Sequence, residues 1–255
     1  MKIRILGCSG GIGGSALRTT ALLVDDDILI DAGTGVGDLK VEQLAKIDHV
    51  FLTHAHLDHI ACLPMLIDTV GELRQQPLIV HATRETLKAL KEHIFNWAIW
   101  PDFSVIPSPD QPFLRYQPLV QGEVIELDGR RLRALPAVHT VPAVGYQLDS
   151  GRASLVFTGD TTVNPELWPL LNAIENLRVL IIETAFPDGE RELALVSKHL
   201  CPSLLTQELK QLQRRVELYI THLKPSQIER TFREIQSQAA PHNPQMLQPN
   251  QIIRL

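Results

Sequence analysis

Four stretches of this chain run apolar and then end on a side chain that can bind a metal. Residues 50–59 read VFLTHAHLDH, 132–139 read LRALPAVH, 154–160 read SLVFTGD and 217–222 read ELYITH. A short apolar run bounded by polar residues is the pattern of a strand buried in a sheet. A polar residue at its end is therefore presented at the sheet edge. A fold that uses all four ends together must gather them at one edge.

The first stretch carries the most chemistry. In an extended segment His54 and His56 point the same way, because side chains alternate with period two. Asp58 and His59 fall where a helix begins and turn toward a neighbouring point. This spacing suits two adjacent divalent ions, one held by the histidine pair and the other by Asp58 and His59. Imidazole and carboxylate donors select zinc, with iron(II) and manganese as alternatives. Four donors do not complete two ions, and His139, Asp160 and His222 are the expected remainder. Residue spacing alone does not say which ion His139 or His222 serves.

The order of elements gives the architecture. Strands are expected at 2–6, 20–25, 27–31, 48–53 and 77–82, with helices at 38–46, 58–73 and 83–95. A second series follows, with strands at 123–127, 130–138, 144–149 and 153–158, a helix at 165–175 and a strand at 178–184. Helices at 190–198 and 202–214, a strand at 217–222 and a helix at 226–238 complete it. Each half starts β-rich and then alternates β and α. Two such halves stack sheet on sheet with helices outside, an α/β four-layer αββα sandwich with two mixed sheets. The chain of 255 residues is read as one domain, with residues 95–116 as an aromatic, Pro-rich insertion.

A formal charge of −5 disfavours a protein whose main task is to grip a polyanion. No apolar run is long enough to span a membrane. The opening MKIRILGCSGG lacks the apolar core and cleavage site of a secretory signal, so a cytoplasmic address is expected. Cys8, Cys62 and Cys201 are too few and too scattered for a disulfide framework, and Cys62 is read as a small buried apolar residue. The glycine-rich GCSGGIGG at 7–14 lacks the G-K-[ST] of a phosphate loop and is expected to be a flexible loop at a sheet end.

H-A-H-L-D-H followed by isolated His, Asp and His at strand ends resembles the metallo-β-lactamase superfamily. The likeness runs from LLVDDDILIDAGTG (22–35) to THLKP (221–225). Within it, H-x-H-L-D-H-I and FTGDT are similar to the class II cyclic-nucleotide phosphodiesterases, although Cys62 stands where their pattern has Gly or Ser. The resemblance implies that His54, His56 and His139 hold one metal and Asp58, His59 and His222 the other, with Asp160 bridging. It also implies Glu183 and His199 as catalytic residues, His199 protonating the leaving oxygen and Glu183 orienting it; Asp58 is counted with them as well as among the ligands. Asp31 is expected to buttress a ligand rather than to bind metal.

The expected activity is hydrolysis of a small phosphodiester, a 3′,5′-cyclic nucleotide, by a hydroxide bridging two metals and without a covalent enzyme intermediate. Two alternatives use the same metals: RNA 3′-processing, and hydrolysis of a lactone, thioester or β-lactam. RNA processing calls for an extended basic surface, whereas the one insertion is aromatic, with Arg115 as its only basic residue. A small-molecule substrate rather than extended nucleic acid is therefore expected. The aromatic cluster of Phe95, Trp97, Trp100, Phe103, Phe113 and Tyr116 is assigned to packing or a homodimer interface ahead of base stacking. His49, His81, His93 and His242 have no partners at ligand spacing and are read as structural or solvent-facing.

Overall fold

The computed structural model describes residues 1–255. In the first half, β1 (Lys2–Gly7), β2 (Ala21–Val24) and β3 (Ile28–Ile30) lead to α1 (Val41–Leu44) and β4 (His49–Phe51). Then come α2 (Leu57–Ile60), α3 (Leu63–Val70), β5 (Leu78–Ala82), α4 (Arg84–His93) and β6 (Leu114–Pro118). The second half holds β7 (Val124–Leu127), β8 (Arg130–Pro136), β9 (Val144–Asp149), β10 (Ser154–Phe157), α5 (Leu167–Ala173) and β11 (Leu177–Glu183). It ends with α6 (Arg191–Val196), α7 (Pro202–Leu209), β12 (Glu217–Thr221), α8 (Ile228–Gln238), β13 (Gln245–Met246) and β14 (Ile252–Arg254).

Two seven-stranded sheets result, in the orders β14-β1-β2-β3-β4-β5-β6 and β13-β12-β11-β10-β9-β8-β7. Each is mixed for the same reason. The hairpin-connected strands β1 to β3 and β7 to β10 pair antiparallel. Strands reached by a helical crossover pair parallel, from β3 to β6 and from β10 to β13. Short turns permit only antiparallel neighbours, and parallel ones need the longer connection.

Three apolar clusters separate the four layers. Ile5, Leu22, Ile30 and Phe51 of the first sheet meet Leu132, Tyr146, Phe157 and Ile181 of the second. The outer face of the first sheet packs under α1, α3 and α4, and that of the second under α5, α7 and α8. Central strands such as β2 are buried along their whole length, which is why they read as continuous apolar runs rather than alternating ones.

One local expectation is corrected, and two features go beyond what the sequence suggested. The helix expected at 58–73 is broken into α2 and α3, followed by a short 3-10 turn. Backbone bonds from the Ala32 N–H to the His59 carbonyl and from the Cys62 N–H to the Ala32 carbonyl stitch α2 to the loop after β3. Pro64 then opens α3 at a position where its missing N–H costs nothing. The aromatic stretch is the connection between α4 and β6, and β6 begins inside it. Phe95 and Phe103 sit in the outer core, with Trp100, Phe113 and Tyr116 packed against them. Finally, β14 crosses back to pair with β1, so the last strand of the chain edges the first sheet.

The first four residues of the glycine-rich segment are packed, whereas residues 12–14 are exposed. A Cβ on Gly7 would run into the Thr19 carbonyl oxygen, and one on Gly10 into the carbonyl oxygen of His222. No helix is long and apolar enough to cross a membrane.

Candidate metal centre

Parallel strands of one sheet point their carboxyl ends the same way, and here β3, β4, β10, β11 and β12 end at one rim. From β4 the chain continues through Leu52 and Thr53 to His54, which is fully buried. His56 occupies the extended N-cap position of α2, and Asp58 and His59 lie in its first turn. His139 follows β8, Asp160 follows β10 and His222 follows β12. The structure brings all seven side chains together. Ligand atoms of His54, His56 and His139 lie within 4.8 Å of one another, as do those of Asp58, His59, Asp160 and His222.

Several contacts in this cluster are not those of ordinary hydrogen bonding. His56 Nδ1 lies 3.1 Å from His54 Nε2 and 3.1 Å from His139 Nε2. One ring nitrogen carries one lone pair or one hydrogen, so it cannot serve both neighbours. His59 Nε2 and both ring nitrogens of His222 are buried with no hydrogen-bond partner. Buried polar groups are rarely left so, and cations in the cluster would take up one nitrogen of each ring. Asp160 faces both groups, with Oδ2 3.3 Å from His59 Nε2 and 3.8 Å from His54 Nε2. Its Oδ1 lies 3.3 Å from His222 Nδ1. The donor set fits divalent metal.

The supporting contacts fix which nitrogen turns inward. Asp31 accepts from the Thr53 N–H and Oγ1 and from His59 Nδ1, each at 2.8 Å. That leaves His59 Nε2 facing the cluster, with Asp31 behind the ring. His139 Nδ1 donates to the Lys198 carbonyl at 3.1 Å, while Lys198 Nζ donates back to the His139 carbonyl at 2.9 Å. Lys198 reaches this position in the left-handed region, at φ 54°. Neither Thr53 nor Lys198 was singled out from the sequence, because neither residue type signals a metal and each contact is set by the fold.

Without metal, the charges of the cluster compete with burial. Burial pushes the His139 imidazole down to about 4 and that of His222 down to about 3. Burial likewise holds His54 well below the usual range. These rings are therefore neutral, the form that binds metal. Burial also disfavours a charged His59, but Asp160 and Asp31 outweigh it and hold that imidazole well above its ordinary value. For Asp160, burial favours the neutral acid, but the facing histidines, His59 the charged one among them, outweigh it and hold the carboxyl well below the usual range.

Glu183 and His199 form a pair at the same rim. Glu183 ends β11 fully buried, and its Oε1 accepts from His199 Nδ1 at 2.7 Å and from the Thr161 N–H at 3.1 Å. Burial disfavours a charged His199, but the Glu183 carboxylate outweighs it and raises the imidazole above its ordinary value. The His199 ring stacks 5.1 Å from that of His222 and meets that of His139 edge-on at 4.9 Å. It also comes within ligand reach of His139 and Asp160, but Glu183 engages its Nδ1.

Cys62 lies in the outer core, outside every ligand cluster. His49 and His81 join no ligand cluster, but they do have partners. They are each other's, with Nδ1 of His49 3.0 Å from Nε2 of His81. Adjacent parallel strands join residues 32 positions apart, which no local spacing reveals.

The model of the beta-lactamase superfamily domain matches residues 26–240. A ribonuclease Z of Halorubrum lacusprofundi is 29% identical over 58% of this chain and 47% of its own length. A probable 3′,5′-cyclic-nucleotide phosphodiesterase of Yersinia pestis is 26% identical over 71% of this chain and 58% of its own. The chain thus spans about half the length of these curated relatives. Among solved structures, unliganded yeast PDE1 superposes with a TM-score of 0.81 at 18% identity, covering 100% of this chain and 99% of that one.

Proposed function

The chain belongs to the β-lactamase superfamily, and from that premise we propose that it is a metal-dependent phosphodiesterase acting on a small substrate, a 3′,5′-cyclic nucleotide. The observation that carries this reading is the buried Glu183–His199 pair, 2.7 Å apart at the rim of the ligand cluster. Cleaving a phosphodiester expels an alkoxide, which needs a proton, and the His199 imidazole beside the ligand cluster can supply it.

His54, His56 and His139 would hold one divalent cation and Asp58, His59 and His222 a second, with Asp160 between them; imidazole and carboxylate donors favour zinc. Such ions supply hydroxide at neutral pH and offset charge building on phosphorus. The residues of the chain do the rest. His199, kept protonated by Glu183, delivers its proton to the departing oxygen from the nitrogen that Glu183 leaves free. Glu183 itself is held by the Thr161 and Leu200 N–H groups, so the ring it orients has one setting. Asp31 and the Lys198 carbonyl keep His59 and His139 turned inward.

A second reading, RNA 3′-processing, is supported by the ribonuclease Z relative. Against it stand the net charge of −5 and the packing of the aromatic connection onto the outer core rather than into an arm. A metal-quantified hydrolysis screen separates these readings. It compares cyclic AMP, cyclic GMP, bis(p-nitrophenyl) phosphate, pre-tRNA, a lactone and a β-lactam. Turnover of cyclic nucleotides with two metals per active chain is expected. Activity on pre-tRNA alone would overturn the small-substrate reading, and fewer than two metals the binuclear one.

A further inference from the structure

A cavity of about 720 Å³ opens beside His139. Its walls are the first turn of α4, the turn between β6 and β7, and the β8–β9 loop that carries His139 itself. Resting on the phosphodiesterase reading, we propose that this groove is the nucleoside subsite: it takes the base and ribose while the phosphodiester lies over the ligand cluster.

Continuity is the first argument. His139 lines the groove, yet its Nε2 lies 3.1 Å from His56 Nδ1 inside the cluster. A substituent on a phosphorus held there has this groove as its neighbour. The volume falls within the roughly 300–1,000 Å³ of small-molecule sites. The composition of the walls is the third. Val120, Val141 and Pro142 offer aliphatic surface for the flat face of a base, and Val120 is 64% exposed although apolar. Arg84, Glu85 and Gln121 stand at the edge of the same hollow, and their side chains enter no ion pair or hydrogen bond within the chain. Amide, guanidinium and carboxylate are the groups that read the edges of adenine, guanine and cytosine. This division of labour, with the rim cutting the ester and the groove choosing the base, also accounts for an exposed valine at the mouth of a charged site.

Calorimetry with 5′-AMP and with inorganic phosphate on the zinc-loaded protein tests the subsite without relying on turnover. The wild type should bind 5′-AMP at least about tenfold more tightly than phosphate, the gain expected of one well-made base contact. Val120→Trp fills the groove from an exposed position and should remove most of that advantage, and Gln121→Ala part of it. In turnover, Val120→Trp should lower the kcat/KM ratio of cyclic AMP to bis(p-nitrophenyl) phosphate by about tenfold or more. Equal affinity for 5′-AMP and phosphate in the wild type, or an undiminished advantage in Val120→Trp of native melting temperature and zinc content, would overturn the subsite. Tight, groove-dependent 5′-AMP binding without hydrolysis of any phosphodiester would uphold it and sink the phosphodiesterase reading instead.

Discussion

His199 and Asp31 each act through one strong contact. A general acid matters in proportion to how badly the leaving group needs a proton. His199→Ala should therefore slow cyclic AMP hydrolysis, which expels a ribose alkoxide, by about 100- to 10,000-fold. It should slow bis(p-nitrophenyl) phosphate far less, because p-nitrophenolate leaves unaided. Equal losses on both substrates would show that His199 does not donate the proton. Asp31 lies in the left-handed region at φ 57°, a conformation Asn also tolerates. Asp31→Asn should keep the backbone but weaken the hold on His59, lowering metal affinity about 10- to 100-fold in a chelator competition.

At the scale of elements, what matters is how closely the strand-end loops approach one another. Gly10 packs against the backbone of His222, so Gly10→Ala forces main chain apart beside the His/Asp cluster. It should cost about 1–3 kcal/mol and lower metal content. Gly37→Ala meets nothing within 4 Å and is the control expected to change neither, by thermal melting and metal analysis. In the α4–β6 connection the aromatics divide by burial. Phe103→Ala should cost about 3–5 kcal/mol in urea unfolding, as for a core aromatic. Trp97, 65% exposed, should cost less than about 0.5 kcal/mol; Trp97 is the residue by which a homodimer interface on this connection can be probed.

Across the whole molecule, the two sheets are tied at one end by Arg130 of β8, whose guanidinium meets Asp27 at 2.5 and 2.7 Å. Between the sheets the His81 ring stacks on Phe51 at 4.2 Å. Burial, with a smaller effect of the nearby His49, pushes His81 down to about 3. An unfolded histidine takes a proton near 6.5, so the unfolded state binds the extra proton once the pH falls below that value. Stability is thus full above about 6.5 and declines as the pH drops, by about 2 kcal/mol from this group by pH 5. His81→Leu should lose correspondingly less stability between pH 7 and pH 5 in urea unfolding. An unchanged decline would place the acid sensitivity elsewhere.

Most of the succession of strands and helices, the two mixed sheets and the seven clustered residues were legible in the sequence, because each rests on a local pattern; β6, β13, β14 and the strand order within each sheet were not. Buried strands read as apolar runs, and donors appear where those runs stop. The break between α2 and α3 was not legible, since it depends on hydrogen bonds to Ala32, far away in the chain. Nor were the Thr53–Asp31–His59 contacts, the Lys198 clasp on His139, or the His49–His81 pair. Only the packed structure decided which nitrogen of each ring faces inward and that a groove continues from His139. Periodicity records which way a side chain points from its own strand; what it meets there is set by the strands and loops that fold alongside it.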